Sequence, residues 1–143
     1  MSGALAGKTV LVTGGARRLG AAICRRLHAA GANVVVNYHR AQQDAQALLH
    51  ELNGRRADSA VLARADLLAT GALPQLVRDT LAAFGQLDAL VNNASSFYPT
   101  PVGEIGEQAW DDLLGTNLKA PLFLAQDAPR SPCVMRTAQG GAR

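Results

Sequence analysis

The segment TGGARRLG, residues 13–20, places two arginines where a strand-like run meets a helix-like one. Glycine-rich turns of this kind bind phosphate groups, because the glycines let an anion approach the backbone N–H groups at the helix N-terminus. A cation there is unfavourable by a few tenths to about 1 kcal/mol, since the helix dipole is already positive. A bound polyanion would offset that cost. Arg17 and Arg18 therefore predict a dinucleotide phosphate site beside Gly14 and Gly20; the alternative is that both side chains extend into solvent.

The end of the next strand-like run indicates which dinucleotide is bound. In NAD sites a carboxylate about 20 residues after the glycine turn binds the ribose 2′-hydroxyl. Here residues 37–43 read NYHRAQQ, and the first acid, Asp44, falls inside a helix-like stretch. His39 and Arg40 instead offer donors to a 2′-phosphate. The pattern favours NADP(H) over NAD(H), with a solvated loop as the alternative.

Alternating strand-like and helix-like stretches position these residues. Short apolar and β-branched runs predict four strands, at residues 8–14, 33–38, 59–66 and 87–94. Each is followed by apolar residues at helical spacing. The predicted fold class is α/β, a Rossmann-like doubly wound parallel sheet that is incomplete, with strand order 3-2-1-4. Phe84 and Trp110 are expected in the core, and His28 and His50 in solvent.

Composition limits the class of protein. A chain of 143 residues with 48% hydrophobic and 17% charged residues fits one globular domain. No apolar run reaches the ~20 residues of a membrane helix, and residues 1–15 lack a signal-peptide pattern. Cys24 and Cys133 have neither zinc nor redox spacing. We expect a cytoplasmic protein with unpaired thiols, no metal and no membrane partner.

The net charge of +3 originates at the C-terminal end of the sequence. Residues 128–143 hold Arg130, Arg136 and Arg143 but no acid, so the remaining chain is neutral. This segment also has two prolines, a glycine pair and no apolar periodicity. We predict that residues 1–127 are the N-terminal part of an NADP-binding Rossmann domain and that residues 128–143 are a disordered basic tail. A neutral body with 4% aromatic residues argues against a nucleic-acid partner.

Four segments of the chain resemble the short-chain dehydrogenase/reductase superfamily. They are TGGARRLG, NYHR, the AD that follows the third predicted strand, and NNASSFYPT at residues 92–100. Within the superfamily, the chain resembles the pteridine reductases. Most members have glycine at the position of Arg18 and NNAG in place of NNAS, and the pteridine reductases share both differences. The resemblance extends from Lys8 to Gln126.

The resemblance implies an NADPH-dependent reduction of a pterin by hydride transfer, in a homotetramer. The residues that it places at the cofactor are Gly14, Arg17, Arg18, Leu19, Gly20, Tyr38, His39, Arg40, Asp66, Leu67, Asn93 and Ala94. It implies that Phe97 stacks on the pterin, that Ser95 bonds the pterin edge, and that Arg18 reaches both pterin and pyrophosphate. Asn117, in GTNLKAP, matches the asparagine that holds a water in the proton relay.

The chain departs from that superfamily in its proton donor. The superfamily's catalytic tyrosine is followed four residues later by a lysine, whereas Tyr38 and Tyr98 are followed at that distance by Gln42 and Val102. We therefore expect a C-terminally truncated form without reductase turnover. Two other hypotheses stay open. One is an NADP-dependent reductase of another carbonyl or imine, and the other is a non-catalytic nucleotide-binding remnant.

Overall fold

The structure, a computed structural model, describes residues 3–128. Its centre is a parallel sheet of four strands: β1 (Thr9–Val12), β2 (Asn33–Tyr38), β3 (Ala60–Arg64) and β4 (Ala89–Val91). The strand order is β3-β2-β1-β4, which confirms the predicted fold class and topology. The predicted disorder from residue 129 onwards and the thiol of Cys133 lie outside the described residues.

Helices cover both faces of this sheet. They are α1 (Arg18–Ala29), α2 (Gln42–Arg55), α3 (Leu73–Phe84), α4 (Glu107–Leu114) and α5 (Ala120–Asp127). A π-helical segment, Gly115–Lys119, joins α4 to α5, and in it the Ala120 N–H donates to the Gly115 carbonyl. The sequence pattern predicts one helix here. The break precedes Pro121, which has no N–H to continue the ladder.

Two cores lie on opposite faces of the sheet because successive residues of β1 and β2 point to opposite sides. One core joins these strands to α1 and α2, and includes Val10, Val12, Val34, Val36, Cys24, Leu48 and Leu52. The other joins them to α3 and α5, and includes Leu11, Val35, Leu73, Leu76 and Leu124. Both strands are therefore buried on both faces, as continuous apolar runs predict. Among residues 3–128 the Cys24 thiol forms no disulfide, and burial raises its pKa to about 12.

Two predictions about burial are wrong. His28, expected in solvent, is only 4% exposed, and its Nε2 lies 2.6 Å from Ser59 Oγ. Because that hydroxyl donates to the Arg56 carbonyl, the imidazole Nε2–H is the donor to Ser59. Trp110, expected in the core, is 62% exposed, since helical spacing does not specify what covers a face and α4 has no buried residue. The predictions for Phe84, half-buried against the second core, and for exposed His50 are confirmed.

The free energy of unfolding should decrease as the pH falls below the ordinary pKa range of histidine side chains. Burial of His28 and the guanidinium groups of Arg56 and Arg55 lower its pKa, and the Glu51 carboxylate opposes them. The unfolded chain therefore takes up this proton first. The contribution of neutral His28 to the free energy of unfolding is complete above the pKa of histidine in the unfolded chain, about 6.5. It is lost as the pH falls from there through the lower pKa of His28 in the folded chain.

Urea unfolding at about pH 7.5 and about pH 5 measures this loss. His28→Gln should reduce the difference in the free energy of unfolding between the two conditions. The control is His50→Gln, because His50 is exposed on α2. An undiminished pH dependence in His28→Gln would show that other groups cause it.

Candidate functional site

The candidate site is built on the turn between β1 and α1, at the edge of the sheet where the strands end. Gly14 has a φ of +58°, in the left-handed region that favours glycine. A Cβ added to Gly20 would lie 2.2 Å from the Gly14 carbonyl oxygen, so a side chain cannot fit there. The first turn of α1 has no side-chain cap. Its N–H groups therefore remain for an anion.

Asn37, at the end of β2, connects this turn to β2 and β3 through hydrogen bonds. It is 2% exposed, and its Oδ1 accepts the Gly14 N–H at 3.2 Å. Its Nδ2 donates to the carbonyl of Ala63 at 3.1 Å, and its backbone carbonyl accepts the Gly15 N–H. No sequence motif singled out Asn37. The available signal was an amide placed directly after a run of three valines, since an amide is unfavourable to bury unless its hydrogen bonds are made.

Thr13 and Asn93 fasten the turn to the residues after β4. The Thr13 hydroxyl accepts the N–H groups of Asn93 and Ala94, at 3.0 and 3.1 Å. In return, Asn93 Nδ2 donates to the carbonyls of Thr13 and Gly14, at 3.0 and 3.1 Å. The side chain of Asn93, expected near a cofactor through its backbone, thus supports the glycine turn itself.

A crevice of about 1280 Å³ opens beside the turn. Six of the residues expected at the cofactor line it, namely Gly14, His39, Arg40, Asp66, Leu67 and Ala94. Three others, Gly20, Asn93 and Arg17, lie in or beside the turn. The Leu19 side chain is exposed, and that of Tyr38 is buried in the core with α1 and α2 rather than in the crevice. A contact from Tyr38 to a ligand would therefore use its backbone.

The far wall of the crevice is held by polar contacts between the ends of β2 and β3. Arg64 Nε donates to the His39 carbonyl at 3.2 Å, and His39 Nε2 lies 3.9 Å from Asp66 Oδ2. Asp66 Oδ1 also accepts the Leu68 N–H at 3.0 Å. These contacts fix the loop that carries Arg40 relative to the strand end.

A second recess, of about 680 Å³, lies between the N-termini of α1 and α2 and is lined by Arg17, Arg40 and Asp44. Arg17 Nε is 2.5 Å from Asp44 Oδ2, and the side chains are 62% and 49% exposed. A pair with this exposure contributes at most about 1 kcal/mol to stability. Arg17 thus has a protein partner, whereas in the part of the chain that the structure describes Arg40 has no ion pair.

Arg18 occupies the left-handed region, with a φ of +47°. It is the first residue of α1 and is exposed to solvent. A non-glycine residue in this conformation carries strain of order 1 kcal/mol, and such strain concentrates at functional sites. The turn therefore retains an arginine at a position where glycine would be easier to accommodate.

Asn117, the residue expected in a proton relay, holds the loop after β4. Its Oδ1 accepts the Ser96 N–H at 3.2 Å, and its Nδ2 donates to the Ser96 carbonyl at 2.8 Å. The oxygen and the nitrogen of the Asn117 side-chain amide thus both bond to the backbone of Ser96. Pro121 lacks the N–H that would bond the Asn117 carbonyl in a regular helix.

The loop fastened by Asn117 carries the residues expected at a substrate. Phe97 is 90% exposed, and Ser95 is also exposed. Ser96 Oγ donates to Asp112 Oδ1 at 3.2 Å, on the neighbouring helix. Partial burial and the Asp112 carboxylate raise the pKa of Tyr98, so this phenol stays protonated at neutral pH. On this loop the ring of Phe97 is thus almost fully exposed to solvent.

Within residues 3–128, no group of three or more His, Cys, Asp or Glu residues is arranged to hold a metal ion. The helices of the same residues include none with both the length and the apolar character to cross a membrane.

Comparison with known proteins yields one family and several reductases. A family model described as short chain dehydrogenase matches residues 8–142. Pteridine reductase 1 of Leishmania tarentolae is 39% identical over 92% of this chain and 56% of that protein. A hydroxynaphthalene reductase-like protein of Metarhizium guizhouense is 36% identical, over 87% and 46%, and a 3-oxoacyl-(acyl-carrier-protein) reductase of Staphylococcus aureus is 33% identical, over 93% and 53%. The chain spans about half the length of these relatives.

Replacing Arg18 with glycine should relieve the strain at this position. We expect Arg18→Gly to have a free energy of unfolding up to about 1 kcal/mol above that of Arg18→Ala, because both remove the guanidinium but only alanine keeps a Cβ. Chemical denaturation measures the difference. The matched control is Arg17, whose φ of −134° suits any residue. There glycine should be no more stable than alanine, and the same order at both positions would contradict the assignment.

Proposed function

We propose that this chain, which belongs to the short chain dehydrogenase family, carries the NADPH-binding part of a pteridine reductase. The observation that carries the proposal is Arg18, a strained and exposed arginine at the glycine turn, together with the exposed ring of Phe97 on the loop after β4. The similarity to pteridine reductase 1 supports the same assignment. Residues 1–127 would form the cofactor-binding part.

The residues present fit a dinucleotide phosphate. The uncapped N-terminus of α1 and the tight Gly14–Gly20 approach leave room for a pyrophosphate against the backbone. Arg17, Arg40 and His39 surround the place where β2 ends, so they would hold a 2′-phosphate. We assign Asp66 and Leu67 to the adenine and the Asn93–Ala94 backbone to the nicotinamide ribose.

The pterin would lie between the turn and the loop after β4. Phe97 would stack on one face of its ring, and Ser95 would bond its edge. Arg18 would donate both to the pterin and to the pyrophosphate. These contacts would offset the cost of its strained backbone and of its positive charge at the helix N-terminus. NADPH supplies the hydride when it is bound. The chain's own contribution is to hold the pterin ring flat and to exclude other orientations.

Proton delivery is the least complete part of the site in this sequence. A water on the Asn117 carbonyl would belong to the relay, but an amide does not titrate near neutral pH, and the Tyr-x-x-x-Lys pair does not occur. We therefore assign no proton donor among these residues. Positioned proton donation contributes ~10²–10⁴ to a rate, which is why we expect no turnover from these residues alone.

Two alternatives follow from the comparisons and the sequence. The reductases of Metarhizium and Staphylococcus match over similar lengths, so another carbonyl or imine substrate is the second candidate. A non-catalytic nucleotide-binding remnant is the third, because of the missing Tyr-x-x-x-Lys pair. Pterin binding separates the first candidate from both. Binding of a carbonyl or imine substrate separates the second from a non-catalytic remnant.

We also propose a cytoplasmic location and self-association. Trp110, Leu118 and Leu122, on α4, the π-helical segment and α5, are large apolar side chains exposed to solvent. Large exposed apolar side chains on successive helical segments are candidates for an interaction surface. The homotetramer implied by the resemblance would cover them.

NADPH should bind more tightly than NADH. The 2′-phosphate gains charge-assisted hydrogen bonds of about 1.5–3 kcal/mol each in favourable cases, and Arg40 has no competing ion pair within residues 3–128. Calorimetric titration with both cofactors measures the ratio. Arg40→Asp should shift it towards NADH, whereas Arg78→Asp, on the exposed face of α3, should not. Equal affinities in the unmodified chain would refute the NADP assignment.

Phe97→Ala should weaken pterin binding far more than NADPH binding, in any form of the protein that binds both. Stacking of a flat heterocycle on an aromatic side chain contributes about 1–3 kcal/mol, by analogy with nucleic-acid bases. Titration of biopterin in the presence of saturating NADPH tests this. Val102→Ala is the control, because Val102 is equally exposed on the same loop region. An unchanged pterin affinity in Phe97→Ala would remove Phe97 from the site.

A further inference from the structure

We infer that Asp44 positions Arg17 for the cofactor's 2′-phosphate, and that the Arg17–Asp44 ion pair acts as one unit in choosing NADP(H) over NAD(H). The inference rests on the proposed function, since it assumes that the recess between α1 and α2 receives the 2′-position of the adenosine ribose. It assigns a role to Asp44, the one carboxylate that lines this recess.

The geometry of the pair leaves the binding face of Arg17 available. The contact joins Arg17 Nε to Asp44 Oδ2 at 2.5 Å, and it is the one hydrogen bond of this guanidinium within residues 3–128. Arginine has five N–H donors, so the two terminal amino groups remain. Two such groups on one rigid plane match two oxygens of a phosphate. Asp44 thus engages the part of Arg17 that a phosphate does not need.

Asp44 is also placed to reduce the entropic cost of binding. It belongs to the first turn of α2, whereas Arg17 precedes the first residue of α1. The pair therefore holds a long side chain across the opening between two helices. Fixing a flexible side chain before the ligand arrives lowers the cost of ordering it on binding.

The same carboxylate would oppose a 2′-phosphate if Arg17 were absent. An acid near the end of β2 is the group that binds the 2′-hydroxyl in NAD sites and that repels a phosphate. Arg17 neutralises Asp44, and Asp44 orients Arg17. Loss of Arg17 would therefore remove a donor and expose a repelling charge at once.

Adenosine 2′,5′-bisphosphate and 5′-AMP are suitable probes, because they differ at the 2′-phosphate and occupy the adenosine part of the crevice. Calorimetric titration of the chain gives the affinity ratio of the two, which a purely structural role of Asp44 would leave unchanged. Asp44→Asn should lower the ratio about two- to fivefold, the range expected for an exposed ion pair. Asp44→Glu should restore it at least in part.

The decisive measurement is the double variant. With alanine at position 17, Asp44→Asn should raise the ratio instead of lowering it, because only the repulsion by Asp44 then remains. Glu51→Gln is the matched control. Glu51 pairs with Arg25, at 2.8 Å, between the same two helices but outside the recess. Its removal should leave the ratio as it was.

The outcomes separate the two proposals. If the ratio favours the bisphosphate but Asp44→Asn raises it, or changes it no more than Glu51→Gln, the positioning role is refuted and the NADP assignment stands. If the chain binds both probes equally or neither of them, the proposed cofactor site fails and this inference fails with it.

Discussion

The close approach of Gly20 to the carbonyl of Gly14 determines where α1 begins relative to the glycine turn, and the rest of the site is built around that turn. A side chain at position 20 would collide with that carbonyl and with the Asn93 amide, so α1 can begin directly beneath the turn only because this residue has none. Asn37 from β2 and Thr13 and Asn93 between β1 and β4 then satisfy the backbone of the turn. Three neighbouring strands are thereby joined at one point, and the crevice opens beside it.

Sequence periodicity was sufficient for the sheet order but not for the ends of its strands. Continuous apolar runs that alternate with amphipathic helices restrict the topology to a few solutions. The predicted fourth strand extends over residues 87–94, whereas β4 covers Ala89–Val91. At its C-terminal end the difference has a physical cause, because the N–H groups of Asn93 and Ala94 donate to the Thr13 hydroxyl. Side-chain hydrogen bonds of this kind carry no periodic signal.

The partners of polar side chains were the least predictable feature, because they depend on which distant residues the fold brings together. Arg17 and Arg18 are neighbours in sequence, yet one has an extended backbone and an acid on another helix, and the other has a left-handed backbone. His28 looked solvent-facing by its position on α1, but Ser59 precedes β3 and satisfies its ring. The sequence shows two adjacent arginines at the turn, and the tertiary structure gives them different backbone conformations and different contacts.

The charges at the two helix N-termini connect the fold to the proposed cofactor site. Arg17, Arg18 and Arg40 all lie near positive helix ends, where cations are unfavourable, and Asp44 is the carboxylate that lines the recess between those ends. One carboxylate cannot neutralise the positive charge of three guanidinium groups. A ligand with a pyrophosphate and a 2′-phosphate would bring the missing negative charge to both helix ends at once, and by binding only the folded chain it would stabilise the turn on which it depends. On the proposed function, the strain at Arg18 and the excess positive charge would both serve the binding of this polyanion.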